Sequence, residues 1–186
     1  MALYYAICST NWWNNSADQA RYVGYYPSLG AWKSAFGNPT LTEPVTVEIQ
    51  GDDWGTEGQD TSTITLDYTL TIKTIGLARH LGKWDANRYR ILLTSNKTII
   101  SCASNLNDFV LDGLQVEIDY SGSYQASFVF YGFTNGGRCE IKNNICKYTG
   151  GDQTTRVTGS KVGHEYGGVY NNILIDIPDW SITEGY

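Results

Sequence analysis

Three stretches of the chain share one pattern: a strand-like run, a two-residue turn and a second strand-like run. The stretches are 109–116, 140–146 and 169–175, and their turns are Asp112-Gly113, Asn143-Asn144 and Asn171-Asn172. Gly113 precedes Asn144 by 31 residues, and Asn144 precedes Asn172 by 28 residues. Near-equal spacing of such a unit predicts successive turns of chain stacked on one another, a β-solenoid. The alternative is a set of unrelated hairpins with similar turns.

The aligned turns predict which side chains stack. Leu114, Ile145 and Ile173 would occupy equivalent inward places just after the turn. At the bend itself, a polar ladder is expected from Asp112, Asn143 and Asn171. Amide side chains can bond to the backbone of neighbouring turns of chain, and Asn and Asp tolerate left-handed backbone angles.

The composition favours an all-β domain with a substantial core. Hydrophobic residues make up 41% of the 186 residues and charged residues only 17%, so the chain can bury enough surface to fold. Thr, Ile, Val and Tyr, which suit strands, recur throughout. The net charge of −6 and the scattered basic residues argue against nucleic acid or an anionic membrane surface as a partner. No apolar run has the length of a membrane span.

The cysteines and histidines do not indicate a metal site. Four cysteines without a CxxC pair and two histidines lack zinc spacing, so we expect no metal and no cofactor. We expect buried free thiols rather than disulfides. Residues 1–8 are apolar but lack the basic start of a secretory signal. This favours a cytoplasmic protein or one released within an assembled particle such as a virion, and an extracellular one if a signal has been removed.

The first 44 residues differ from the rest and predict a terminal cap. They hold three of the six Trp and a candidate helix from Ser28 to Phe36, with Ser28 as N-cap and Gly37 just past its end. Leu29, Trp32 and Phe36 would share one face, which could seal the open end of a stack.

From Val45 onward the pattern becomes strand-like. We expect strands at 45–49, 64–66, 70–72, 89–93 and 98–101. Loops are expected at 51–55 and 77–87, and a long loop region at 148–168.

The repeats at 110–114, 141–145 and 170–173 resemble those of right-handed parallel β-helix proteins of the pectate-lyase-like superfamily. Residues 26–32 resemble a "Tyr-x-Ser-Leu-x-x-Trp" opening, and 79–91 resembles a segment of phage and environmental β-helix proteins. The resemblance implies an all-β fold, a right-handed parallel β-helix with an N-terminal aromatic cap that contains a short helix. It divides the single domain into a cap (1–44), a β-helix (45–177) and a C-terminal tail (178–186).

Family enzymes use calcium held by acidic residues with a basic residue, or two or three Asp near one another. The nearest acidic groupings here are Asp52 with Asp53, Asp108 with Asp112, and Glu117 with Asp119. Turn chemistry and a solvated strand face explain these groupings without catalysis. We expect surface or loop-packing roles for His80 and His164, and no catalytic residues.

The abundant aromatics are the better indication of function. We expect binding through four tryptophans in loops or in the cap: Trp12, Trp13, Trp54 and Trp84. Exposed aromatic side chains stack on sugars or build protein interfaces. Equally, these residues could fill the core of the cap.

Two classes of function remain open. The first is a non-enzymatic structural protein, such as a phage capsid decoration or tail-associated module that forms homotrimers and contacts other virion proteins. The second is a polysaccharide lyase or hydrolase with a site near Glu117, Asp119 and Lys142, or a carbohydrate-binding module on the same fold.

Overall fold

A computed structural model describes residues 1–36, 40–51, 56–58, 63–66, 68–94, 100–104, 108–119, 130–134, 138–150, 157–163, 168–176 and 180–184. In these ranges the chain is mostly β-strand in parallel sheets, with few helices. The helices are α1 (Thr10–Asn15) and α2 (Leu29–Phe36), with 3₁₀ turns at Gln19–Arg21 and Gly76–Ala78. None of the helices within these ranges is long and apolar enough to cross a membrane.

The described strands are short, from two to seven residues each. In order they are β1 (Leu3–Ile7), β2 (Gly24–Tyr26), β3 (Thr40–Leu41), β4 (Val45–Ile49), β5 (Thr56–Gly58), β6 (Thr63–Leu66), β7 (Leu70–Thr74), β8 (Arg90–Leu93), β9 (Ile100–Ser104), β10 (Phe109–Asp112), β11 (Gln115–Ile118), β12 (Phe130–Thr134), β13 (Cys139–Lys142), β14 (Ile145–Tyr148), β15 (Val157–Gly163), β16 (Gly168–Tyr170), β17 (Ile173–Ile175) and β18 (Trp180–Glu184).

These strands form three parallel sheets. Sheet 1 has the order β16-β13-β10-β7-β4-β1-β2, sheet 2 has β17-β14-β11-β8-β5, and sheet 3 has β18-β15-β12-β9-β6-β3. From β4 onward, neighbours in a sheet are three strands apart in the chain. Each trio of strands therefore adds one strand to every sheet, and we name the trios repeat 1 (β4–β6) to repeat 5 (β16–β18).

The parallel pairing rules out separate hairpins and corrects the alignment of the turns. Leu111 pairs with Ile141, and Ile141 pairs with Val169, so Gly113, Asn143 and Asn171 are equivalent. These three residues have φ values of 81°, 54° and 52°, in the left-handed region. The alignment of Gly113 with Asn144 was thus wrong by one residue. In Asp112-Gly113 the second residue takes the left-handed angle, whereas in the Asn-Asn turns the first one does.

The corrected register also changes the expected stacks. Ile145 and Ile173 are paired as expected, but their partner in the previous repeat is Gln115 rather than Leu114. The inward positions belong instead to the alternate residues of each strand. On sheet 1 these include Val47, Ile72, Leu111 and Ile141, and on sheet 2 Ile91, Val116 and Cys146, all in one buried cluster. Each fully buried aliphatic side chain contributes about 1.5–3 kcal/mol.

The helix expected in the N-terminal segment is confirmed. The Ser28 hydroxyl accepts a hydrogen bond of 2.9 Å from the Ala31 backbone N–H, as an N-cap should. Leu29 and Trp32 are buried in the main core, where the Trp32 ring lies 6.3 Å from that of Tyr5. Gly37 and the Phe36 side chain lie outside what the structure describes. The same N-terminal segment also supplies β1, which pairs with β4 and extends sheet 1.

Two segments expected to lack strands contain them. The long loop expected at 148–168 includes β15, which pairs with β12 on one side and β18 on the other. Strand β18 itself lies in the segment expected as a tail. The sequence of β15, Val-Thr-Gly-Ser-Lys-Val-Gly, has low strand propensity, so its parallel neighbours determine its conformation.

The cysteines that the structure describes with their side chains are both buried. Cys146 is a free thiol in the core, as expected, and burial raises its pKa to about 12. Cys8 lies in a smaller cluster with Ala6 and Tyr22 on the outer side of β1. The side chains of Cys102 and Cys139 lie outside the described part of the structure.

Candidate functional site

The most elaborate polar site is built by residues 75–89, which connect β7 to β8 and which we name the strap. The strap belongs to repeat 2, but its side chains reach repeats 3 and 4. Arg79 bonds to Asp112 of repeat 3, and His80 bonds to the backbone of Asn143 in repeat 4. The strap thus fastens the bends of two later repeats.

Arg79 is the central anchor of the strap. Its Nη2 donates to Asp112 Oδ1 at 2.7 Å, and its Nη1 donates to the Thr74 carbonyl at 3.0 Å. The Asn143 side-chain amide donates to the same Asp112 oxygen at 2.8 Å. Burial alone would raise the pKa of Asp112, but the bonds from Arg79 and Asn143 outweigh burial and lower it. Asp112 therefore stays ionised at neutral pH.

Because Gly113 has no side chain, the Arg79 guanidinium has room to lie against it. A Cβ on Gly113 would lie 2.6 Å from Arg79 Nη1 and 2.6 Å from the Thr74 hydroxyl. The φ value of 81° also disfavours a side chain. The Asp112-Gly113 sequence thus provides both the acid that binds Arg79 and the gap that admits it.

His80 is buried and both of its ring nitrogens are engaged. Nδ1 accepts a hydrogen bond of 3.1 Å from the Gly82 backbone N–H, so Nε2 carries the proton and donates to the Asn143 carbonyl at 2.6 Å. Burial lowers the pKa of His80, although the bond to Asn143 opposes this. A neutral, fully bonded imidazole acts as a structural link rather than as an acid or base.

The second half of the strap is held on sheet 2. The Asp85 backbone N–H donates to Gln115 Oε1 at 2.8 Å, and Gln115 Nε2 donates back to the Asp85 carbonyl at 2.9 Å. The Lys147 ammonium lies 5.4 Å from the centre of the Trp84 ring, a cation–π contact. Arg90 and Glu117 form an ion pair at 3.2 Å on the same sheet.

A ladder of amides crosses the bend beneath the strap. Asn144 Oδ1 accepts from the Leu114 N–H at 2.9 Å, and Asn172 Oδ1 accepts from the Asn144 N–H at 2.8 Å. Asn172 Nδ2 donates to the Ile141 carbonyl at 2.9 Å. A polar ladder of Asp112, Asn143 and Asn171 was expected. Asn143 does donate to Asp112, and Asn144 with Asn172 forms a second ladder that was not expected.

The outer face of sheet 1 carries charges in register. Glu48, Lys73, Asp112 and Lys142 occupy equivalent positions in successive repeats. Glu48 is buried and lies 2.9 Å from Lys73, 2.6 Å from Arg21 and 2.7 Å from the Tyr22 hydroxyl. Burial, together with the hydrogen bond to Glu48, raises the pKa of Tyr22.

A second ion-pair group lies further along the same face. Glu140 lies 2.8 Å from Lys142 and 3.1 Å from Arg138.

The predicted binding tryptophans are not brought together. Trp12 and Trp13 are partly buried against the outer side of β1, where Trp13 stacks on Tyr25 with ring centres 4.7 Å apart. Trp84 lies in the strap beside sheet 2, and Trp54 lies outside the described residues. Trp12 and Trp13 thus fill the cap, in line with the alternative that cap aromatics serve packing.

Of the residues considered for an enzyme site, Lys142 lies on a different sheet from the two acids. Glu117 lies on sheet 2 with Arg90, and Asp119 follows the end of that strand. Lys142 lies on sheet 1, where it pairs with Glu140. Asp52, Asp53 and His164 fall outside the described ranges.

The residues that do come together beside the strap were not predicted from the sequence. Arg79, Gln115 and the Asn144–Asn172 pair carry the site, yet only the turn spacing hinted at any of them. Among the described residues, no three His, Cys, Asp or Glu side chains group to hold a metal ion. Neither a protein-family model nor a curated protein nor a solved structure matches this chain.

Proposed function

We propose that the chain is a non-enzymatic structural protein that acts by self-association and surface binding. The observation that supports this is the pairing of five carboxylates with basic side chains. Across the part of the chain that the structure describes, five acidic side chains on the outer faces or in the strap each pair with an Arg or a Lys: Glu48, Asp85, Asp112, Glu117 and Glu140. A general acid needs a raised pKa and access to substrate, which such pairing opposes.

We further propose that the fold is a short right-handed parallel β-helix. Each trio of strands adds one strand to each of three parallel sheets. Crossovers between parallel strands of one sheet are right-handed in about 98% of cases, which favours this hand. The amide ladder and the strap link successive repeats by hydrogen bonds, which suits the stack to a structural role.

The setting we propose is a virion, as a capsid decoration or tail-associated module in a homotrimer. The resemblance to phage β-helix proteins suggests this setting. The strap exposes two leucines, Leu77 and Leu81, which could form lateral contacts with other copies.

Light scattering during gel filtration tests self-association, and co-sedimentation with purified particles of the source tests the setting. A stable oligomer that binds particles is the expected result. A monomer that degrades pectin, alginate or a related polymer would overturn the proposal.

A carbohydrate-binding module is the second candidate, favoured by the partly exposed Trp84 beside Lys147. Aromatic rings of this kind stack on sugar faces. Glycan-array binding that is lost in Trp84→Ala but kept in Trp13→Ala would favour this candidate over the first.

A further inference from the structure

The two ends of the stack of repeats are finished differently. At the N-terminal end, α2 lays Trp32 over the core, and this side chain is 0% exposed. At the other end, Leu174 of β17 occupies an inward position, in register with Cys146 of β14. Cys146 is 1% exposed, whereas Leu174 is 39% exposed. Among the described residues, the core thus continues to repeat 5, where this inward side chain is exposed.

The uncovered end has the composition of an interface. Tyr170 and Ile173, on either side of the bend, are 42% and 36% exposed. Between 168 and 176, Asp176 is the one charged residue. The equivalent stretch of repeat 4 instead carries ion-paired Glu140 and Lys142. Depletion of charge with retention of Tyr and aliphatic residues characterises the centre of protein interfaces.

The backbone at this end is also open to pairing. Strands β16 and β17 are the outermost described strands of sheets 1 and 2. In repeats 3 and 4, a backbone N–H at the bend donates to a side-chain oxygen of the next repeat: Leu114 N–H to Asn144, and Asn144 N–H to Asn172. An exposed strand edge of this kind is a template for another polypeptide.

We propose that a second copy of this chain covers the end, so that two stacks meet at repeat 5. Helix α2 covers the core at the opposite end with Leu29 and Trp32, which are both buried, so these core side chains are not available to meet Leu174 in a head-to-tail contact. The remaining arrangement is isologous, with the same patch from both copies around a two-fold axis. The low charge of the patch lets two copies face each other with little repulsion. This contact is independent of any lateral trimer: two monomers that meet in this way form a dimer, and two trimers form a hexamer.

The test compares Leu174→Asp with Val23→Asp, because Val23 is 62% exposed and directly precedes β2, at the opposite end of sheet 1 from the proposed contact. Light scattering during gel filtration, over a wide concentration range, should show that Leu174→Asp halves the wild-type mass and that Val23→Asp leaves it unchanged. Circular dichroism checks that both variants fold. Tyr170→Glu, an outward substitution, gives the same halving without a polar group in the core and serves if Leu174→Asp does not fold.

Three outcomes would overturn the proposal. They are equal masses for the wild type and Leu174→Asp, a wild type without an end-to-end step, and a monomeric wild type whose Leu174 side binds only a different protein. If Leu174→Asp has the same mass as the wild type and still binds particles, this inference is wrong, but the proposed structural role is not affected.

Discussion

The Oδ1 atom of Asn172 accepts two hydrogen bonds from Asn144, one from its backbone N–H at 2.8 Å and one from its side-chain amide at 3.0 Å. Asn144 in turn accepts from the Leu114 N–H, so one amide serves three repeats. Since Asn144 is completely buried, water cannot replace these partners. The pair joins repeats 3, 4 and 5 where the chain turns from sheet 1 to sheet 2.

Removal of the amide should destabilise the fold substantially. Asn144→Ala leaves the buried Leu114 N–H without an acceptor and loses the bond to Asn172. We expect a loss of about 2–4 kcal/mol, because each buried polar group left unsatisfied costs about 1–3 kcal/mol. Chemical denaturation measures the free energy of unfolding. Asn87→Ala, at an exposed strap position, is the control and should change stability by less than about 0.5 kcal/mol. Equal losses in both variants would contradict the ladder's role.

A methyl group at Gly113 should displace the strap. Gly113→Ala combines a left-handed backbone with overlap between the new Cβ and the Arg79 guanidinium. Gly82→Ala is a matched control, since Gly82 has a φ of 76° but no atom within 4 Å of its Cβ position. The backbone strain of about 1–2 kcal/mol should appear in both variants, and only Gly113→Ala should lose more than that. Denaturation curves of the two proteins give the comparison, and equal losses would show that Arg79 does not need the gap.

The strap should weaken in mild acid. The pKa of His80 is lowered in the folded protein, so the unfolded chain binds its proton more readily. The contribution of neutral His80 is therefore present above about pH 6.5, its unfolded pKa, and is lost as the pH falls below that value. We expect the wild type to lose more stability than His80→Gln between pH 7.5 and about pH 5. Parallel slopes for the two proteins over this interval would exclude His80 as the titrating link.

Lys73 should matter more than its partial exposure suggests. Lys73→Met removes one of the two cations that neutralise buried Glu48 and leaves Arg21 alone with that carboxylate. We expect a loss of about 1–3 kcal/mol, because hydrogen bonds to charged groups contribute on that order. Lys83→Met, at an exposed strap position, is the control and should be near neutral. A Lys73→Met protein as stable as the control would mean that Arg21 suffices for Glu48.

The stacking of strands could be predicted because the spacing of the turns is visible in the sequence, without any knowledge of side-chain contacts. The sequence placed α2, its Ser28 cap and most strands of sheets 1 and 2 for the same reason: these signals are local. It missed β15, whose residues have weak strand propensity and depend on neighbours on both sides. The hand of the proposed β-helix, the virion setting and the trimer stay predictions.

The site was largely beyond sequence reasoning, because its partners lie far apart in the chain. Arg79 of repeat 2 meets Asp112 in repeat 3, and His80 meets Asn143 in repeat 4. The one-residue error in the alignment has a similar origin. Asp-Gly and Asn-Asn look alike as turns, but in the Asn-Asn turns the second side chain bonds to the previous repeat, whereas Gly113 has no side chain that could do so.

The reach of the strap fixes the two repeats that directly follow it. In a regular stack, one unit can be deleted or duplicated with little effect on the others. Here, deletion of repeat 3 would leave Arg79 without Asp112, and an inserted unit between repeats 3 and 4 would carry Asn143 away from His80. The gain or loss of a repeat is therefore excluded between repeats 2 and 4, and the strap keeps the number of repeats in this part of the molecule constant.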